Sequence, residues 1–222
     1  MSNKIKYILC LIVTLTIIYF IKHTLIIIPL LLILWYLVFK PFTTEDIFVF
    51  LIAVIYIIPQ NYIGLKSGIM FFKNQDFLLM PYYEPLMWGF YYIFLKRFIN
   101  EPQNDLKLSY KILFTLFLTA SLFSYFFSYP SYLFATSIIL VFILLLLFHE
   151  KYDLYYMAIT LFLGFIIELF GVQTELWYYP KVNLLKIPYW FSAMWICVGL
   201  FCRRLVIPLA KYLSNFMELV HK

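Results

Sequence analysis

Charge is sparse in this chain: 13% of its 222 residues are charged, against 65% hydrophobic and 23% aromatic. Too little polar surface remains to cover a globule of this size, which excludes a soluble domain. The net charge of +6 would suggest nucleic acid in a soluble protein, but here the basic residues cluster at the ends of apolar runs. That distribution describes topology in a bilayer rather than a nucleic-acid partner. Cysteine is scarcer still, at three residues. Cys10, Cys197 and Cys202 lie within or at the end of apolar segments without a C-x-x-C pairing, so neither a disulfide framework nor a zinc site is expected and the thiols read as packing.

Catalytic signatures are also missing. His149-Glu150 has no second histidine four residues on, while His23 and His221 fall in a turn and the tail. No Gly-x-Ser-x-Gly elbow, phosphate-binding loop or dinucleotide fingerprint occurs, so no metal, redox or nucleotide cofactor is expected. Lys4 and Lys6 precede an apolar run as in a secretory signal, but no small-x-small cleavage site follows, and the first segment reads as retained.

What the chain does have is an internal repeat. Shifted by 107 residues, the stretch from Gly64 to Phe98 falls without a gap on the stretch from Gly171 to Leu205. Identities include Gly64/Gly171, Leu78/Leu185, Pro81/Pro188, Tyr82/Tyr189, Met87/Met194, Trp88/Trp195, Phe94/Phe201 and Arg97/Arg204, with Lys96 opposite Arg203. The register extends to Lys4/Lys111, Asp46/Asp153, and the Lys22-His23 turn opposite Tyr129-Pro130. Such a period marks a duplicated structural unit, and in membrane proteins sites tend to form between the units.

Apolar runs lie at about 7–21, 24–39, 47–60, 81–95, 112–128, 131–148, 154–170 and 187–202. Several are shorter than the roughly 20 residues of a typical crossing, so Lys snorkelling or local thinning is required. The alternative fuses the first two runs of each half into one helix, giving six spans. The distribution of basic residues favours eight: Lys4, Lys6, Lys40, Lys96, Arg97, Lys107, Lys111, Lys151, Arg203, Arg204, Lys211 and Lys222 then share the N-terminal side, twelve against five. The expected fold is an all-α, polytopic membrane bundle of about eight transmembrane helices, arranged as two parallel four-helix repeats with both termini cytoplasmic in a cell membrane. Residues 1–99 form the first repeat, 100–110 a cytoplasmic linker, 111–204 the second repeat and 205–222 an amphipathic interfacial tail.

Two long connections, 61–80 and 171–186, are the extended non-helical stretches and fall on the non-cytoplasmic side, each with an aromatic pair (Phe71-Phe72, Tyr178-Tyr179). Aromatic residues there also suit an ordinary headgroup belt. Ionisable residues within spans are more informative, because a carboxyl in hydrocarbon costs a few kcal/mol unless it faces a partner or cavity. Glu168 sits near the outer end of the seventh span and Glu84 begins the fourth. Under the repeat Glu84 corresponds to Phe191 and Glu168 to Asn61, so each half supplies one carboxyl and a shared asymmetric site is expected. Both glutamates could instead simply accept hydrogen bonds at the interface. As a site, Glu168 and Glu84 are the catalytic candidates, with Trp88, Trp177, Tyr178, Tyr189 and Trp195 as substrate-binding aromatics. A protonated carboxyl can start alkene chemistry, and aromatic faces stabilise a carbocation without quenching it.

The run Glu168-Leu169-Phe170-Gly171-Val172-Gln173-Thr174-Glu175-Leu176-Trp177-Tyr178-Tyr179, followed by Ile187-Pro188 and Trp195, resembles membrane carotenoid-biosynthesis proteins of the bisanhydrobacterioruberin hydratase type. Pro81-Tyr82-Tyr83-Glu84 and the aromatic span after it look like the Pro-x-Glu-Glu motif of heterodimeric-type membrane lycopene cyclases, with one Glu in place of the pair. The resemblance covers roughly 35 residues in each half. It implies cofactor-free protonation of a long polyene, followed by cyclisation or hydration, with a membrane lipid or isoprenoid as substrate. The alternative is a non-catalytic membrane protein, a small lipid carrier or an assembly and docking partner, in which the duplicated loops form a surface. Few polar residues line the spans, which argues against a water-filled ion pathway.

Overall fold

The computed structural model describes residues 2–102, 109–126, 129–182 and 184–220. The middle of the expected linker (103–108), Asn183, and His221 and Lys222 of the expected tail lie outside the described residues. The chain is a helical membrane protein. Its helices are α1 (Asn3–Phe20), α2 (Thr24–Phe39), α3 (Thr44–Lys66), α4 (Glu84–Ile99), α5 (Tyr110–Phe126), α6 (Pro130–Leu147), α7 (Lys151–Gln173), α8 (Phe191–Phe201) and α9 (Ile207–Val220). A π-helical turn, Cys202–Val206, joins α8 to α9, so the last helix runs unbroken from Phe191 to Val220. Among the described residues, four helices are long and apolar enough to cross a bilayer: Asn3–Phe20, Thr44–Lys66, Lys151–Gln173 and Phe191–Val220. The other apolar helices are shorter. Large side chains such as Ile55, Phe117 and Leu146 are more than 70% exposed, and on a chain of this composition their neighbour is lipid.

Many element boundaries recur at the repeat spacing. Helix α3 shifted by 107 residues gives the bounds of α7 (Lys151–Gln173), and α4 gives α8 plus its π-helical turn. Local backbone features follow the same spacing. Phe77 pairs with Met80 as Leu184 does with Ile187, and positive φ angles occur at Leu78 and Leu79 as at Leu185 and Lys186. The capping chemistry repeats as well. Thr43 and Asp46 close a capping box at the start of α3, Asp46 N donating to Thr43 Oγ1 at 3.1 Å and Thr43 N to Asp46 Oδ2 at 3.0 Å. Glu150 and Asp153 form the corresponding box on α7. These caps satisfy orphan helix amides that would otherwise lack partners in a bilayer.

The same aspartates anchor the next helix. Asp46 accepts from Lys96 Nζ at 3.0 Å and from Arg97, locking α3 to α4. Asp153, fully buried, is gripped by Arg203 and by Arg204 at 2.6 Å, locking α7 to the turn after α8. Glu101, at the start of the linker, reaches Arg203 at 2.7 Å and so ties the end of the first half to the second. Buried pairs of this kind are costly to break singly, because the orphaned charge has no water to turn to.

Three differences from the sequence reading have physical causes. Helices α3 and α7 extend past residues 61 and 171 to Lys66 and Gln173, so Asn61, Gly64 and Gly171 are helical rather than in loops. No proline interrupts these stretches, and Gly171 is needed for contact rather than for a turn: the Trp177 indole lies against its Cα, where a Cβ would collide. The residues after 204 continue the last helix and pack Pro208, Ala210 and Ser214 inward, with α9 lying on α3, instead of starting a separate element. Finally, the two long connections are not independent loops. Their strands, β1 (Phe71–Phe72) and β2 (Trp177–Tyr178), pair antiparallel across the two halves, Phe71 opposite Tyr178 and Phe72 opposite Trp177. Lys73 N extends the pairing with a 2.9 Å bond to Leu176 O.

Candidate functional site

Beneath the β1–β2 ribbon lies a cavity of about 120 Å³, walled by α3, α4, α7 and the start of α8, with Leu15 and Ile18 of α1 closing one side. By the same measure an engineered cavity of ~150 Å³ holds benzene, so this one admits a ring-sized group. Its wall is aromatic and aliphatic. Trp88, Trp177, Trp190 and Trp195 line it together with Tyr83, Tyr91 and Tyr179; its polar members are Gln60, Asn61, Glu84 and Glu168 and the aromatic N–H and O–H groups.

The two carboxyl groups arrive from different halves. Glu84 stands at the first position of α4, where its Oε1 accepts from Trp88 Nε1 one turn on at 2.9 Å and from Asn61 Nδ2 of α3 at 3.4 Å. Glu168 of α7 is only 6% exposed, and its Oε2 accepts from Trp177 Nε1 at 2.7 Å and from Tyr179 OH at 2.9 Å. Burial, and then the Glu168 carboxylate beside it, hold the Tyr179 phenol well above its usual range, so it remains a donor. Each carboxyl therefore has two donors on one oxygen. The other oxygen, Glu84 Oε2 and Glu168 Oε1, takes no hydrogen bond among the described residues.

Of the residues singled out in the sequence, Glu84, Glu168, Trp88, Trp177 and Trp195 line this cavity together. Tyr178 and Tyr189 do not. Tyr178 is 56% exposed and stacks on Phe71 at 5.3 Å between ring centroids, while Tyr189 is 53% exposed and packs on Phe134. Strand alternation is the cause: Trp177 and Tyr179 turn toward Glu168, so Tyr178 between them must face away. Tyr189 is displaced by its neighbour, because the buried ring at this entry to α8 is Trp190. Sequence reasoning missed Tyr179, Trp190, Tyr83, Tyr91 and Asn61 as lining residues. Period-two alternation through 177–179 would have found the first, and the pairing of Asn61 with Glu168 under the repeat was already a signal for the last.

Trp88 and Trp195, repeat partners, stack at 5.6 Å across the junction of the halves, and Tyr91 meets Trp195 edge-on at 5.4 Å. Trp195 lies over Gly164, whose missing side chain admits the indole. The asymmetry of the repeat shows in these rings. Trp88 Nε1 is bonded to Glu84, whereas Trp195, which has Phe191 in the corresponding place, leaves its Nε1 without a partner among the described residues. No group of three His, Cys, Asp or Glu side chains that could hold a metal is found among the described residues.

No protein-family model and no curated protein sequence matches the chain. Solved structures do. The fold is similar to the crystal structure of a mycobacterial Insig homologue, MvINS from Mycobacterium vanbaalenii, with a TM-score of 0.62 and 12% identity over 78% of this chain and 98% of that one. A cross-linked MvINS trimer matches with a TM-score of 0.60 and 13% identity, covering 80% of this chain and 97% of that one. At such identity the likeness is one of fold, an Insig-like multi-pass membrane architecture.

Proposed function

We propose that this protein is a membrane enzyme that protonates an alkene of an isoprenoid or carotenoid-like lipid without a cofactor, leading to cyclisation or hydration. The supporting observation is that two glutamates, one from each half, line a single apolar, aromatic-walled cavity, each with one oxygen left unbonded among the described residues. In this reading Glu168 is the acid. Its Oε1–H proton passes to an alkene carbon, the π pair forming the new C–H bond and leaving a cation on the more substituted carbon. Trp177 and Tyr179 stabilise the carboxylate that remains, through the hydrogen bonds they already make to Oε2. Trp88 and Trp195, which line the cavity, shelter the cation. Glu84 then accepts a proton, either from the carbon next to the cation after ring closure or from a water that has added to it, and the second product is an alcohol. Proton return from Glu84 to Glu168 closes the cycle.

The scaffold in this proposal is two parallel four-helix repeats crossing the membrane eight times, with both termini cytoplasmic. The recurrence of element bounds and of the Asp46/Asp153 clusters at 107 residues supports it.

The test is lipid extraction and mass spectrometry of cells carrying Glu168→Gln, Glu84→Gln or both, at matched protein levels. Gln keeps shape and hydrogen bonding but cannot release a proton. Each single substitution is expected to abolish the lipid product, while Glu175→Gln leaves it nearly intact. An unchanged lipid profile in the double variant would remove the enzyme reading in favour of a lipid carrier or docking partner.

A further inference from the structure

Every other buried or half-buried carboxylate among the described residues is answered by a cation: Asp46 by Lys96 and Arg97, Glu45 by Lys96, Asp153 by Arg203 and Arg204, and Glu101 by Arg203. Glu84 and Glu168 break that pattern. No Lys, Arg or His lines their cavity among the described residues, and the hydrogen bonds they accept come from neutral indole, phenol and amide groups. The two acids nevertheless share the cavity with four tryptophans and with Tyr83 and Tyr91. Aromatic faces attract a cation within about 6 Å, most strongly when water is excluded, and such cages are a general solution for quaternary ammonium groups. A divalent metal is a poorer match, since no three-ligand cluster occurs among the described residues and the wall is dominated by carbon.

We infer that the cavity binds a lipophilic organic cation, a tertiary or quaternary ammonium group of about ring size on an apolar tail, with Glu84 and Glu168 as its counter-charges and the tryptophans as its walls. The size fits, as a trimethylammonium head is no larger than the ring that a cavity of ~150 Å³ holds. The inference concerns the same cavity as the proposed reaction but rests on the composition of its lining, not on proton transfer. If the proposed chemistry holds, the bound ammonium mimics the carbocation and inhibits. If it does not, the cavity is a binding site for amphiphilic amines.

The test is binding to the full-length protein in maltoside micelles, comparing hexyltrimethylammonium with its neutral isostere 2,2-dimethyloctane. These differ by one charge at constant shape. Tryptophan fluorescence and the shift in the thermal unfolding midpoint, both referred to probe concentration in the micelle, give the affinities. The cation is expected to bind at least about tenfold more tightly than the isostere. Glu84→Gln/Glu168→Gln should erase most of that preference without changing the affinity for the neutral probe. Equal binding of the two probes overturns the inference, as does a cation preference that survives the double substitution. The isostere comparison on the unsubstituted protein decides even where the double variant fails to fold. Cation binding in cells whose lipid profile is indifferent to both glutamates would separate failure of the enzyme reading from failure of this one.

Discussion

Trp177 holds Glu168 and is itself held by Phe72. Its indole Nε1 donates to Glu168 Oε2 at 2.7 Å, while its backbone pairs with Phe72 across the β1–β2 ribbon and the two rings meet edge-on at 5.9 Å. The first half thus fixes a donor that serves the carboxyl of the second. A charge-assisted hydrogen bond in a water-poor site contributes about 1.5–3 kcal/mol. Trp177→Phe, which keeps the ring and removes the N–H, is therefore expected to lower formation of the lipid product by about ten- to a hundredfold if Glu168 is the acid. Substituting Tyr178, which faces away, should change it less than about twofold; equal effects at both positions would separate the ribbon from the chemistry.

The paired charge clusters give a prediction that is independent of function. Asp153 is fully buried and bonded to two arginines, so Asp153→Asn takes from Arg203, itself 3% exposed, its most buried counter-charge and leaves it Glu101 and Glu150. Removing one partner of a buried pair costs about 3–5 kcal/mol. A marked drop in the thermal midpoint of the purified protein is expected. Asp46→Asn should act in the same direction but more weakly, because Lys96 and Arg97 are more exposed than Arg203.

Glu150 provides the pH dependence. Its hydrogen bond to Arg204, with Arg203 adding to it against the cost of partial burial, lowers its pKa below the ordinary carboxylate value. A depressed folded-state value means that its contribution to stability is fully present above the unfolded-state pKa, about 4.3, and is lost as pH falls through the lower folded value. The contribution is modest because the side chain is 59% exposed. Thermal midpoints measured from pH 7 downward should fall less steeply in Glu150→Gln than in the native protein at the acidic end.

How much of this could be read from the sequence differs by element. The helices were legible because the apolar runs are long and bounded by charge or proline, and the interior placement of Glu168 followed from the cost of a carboxyl in hydrocarbon. The repeat register aligned Asp46 with Asp153 and Arg97 with Arg204, yet not the ion pairs between them, since partners about fifty residues apart meet only after the helices pack. The ribbon between Phe71-Phe72 and Trp177-Tyr178 was illegible for the same reason: two residues of pairing leave no periodic signal, and both segments also read as a headgroup belt. Tyr178 was favoured over Tyr179 because adjacent tyrosines differ only in the direction that a local strand gives them.

Gly164 tests the packing that shapes the cavity. The Trp195 indole lies directly on its Cα, and a methyl there would overlap the ring. Gly164→Ala is expected to destabilise by about 1–3 kcal/mol, the usual cost of overpacking, and to push Trp195 off Gly164. A shift in tryptophan emission, with little change in helix content by circular dichroism, would report that displacement.

The orientation prediction carries the most architectural weight. With eight crossings and both termini cytoplasmic, the ribbon and both connections lie outside, so single cysteines introduced at Asn74 and Asn183 should both react with an impermeant thiol reagent added to intact cells. The native thiols do not interfere, since Cys10, Cys197 and Cys202 are all buried. Pairing of β1 with β2 already requires the two connections to share a side, which no arrangement with an odd number of crossings between them allows. Labelling at both positions from outside therefore fixes the sign of the topology. Labelling at both only after permeabilisation would reverse it and move Lys96, Arg97, Arg203 and Arg204 to the outer face, against the usual basic bias of the cytoplasmic side. Labelling at one position alone is incompatible with the ribbon and would dismantle the parallel repeat.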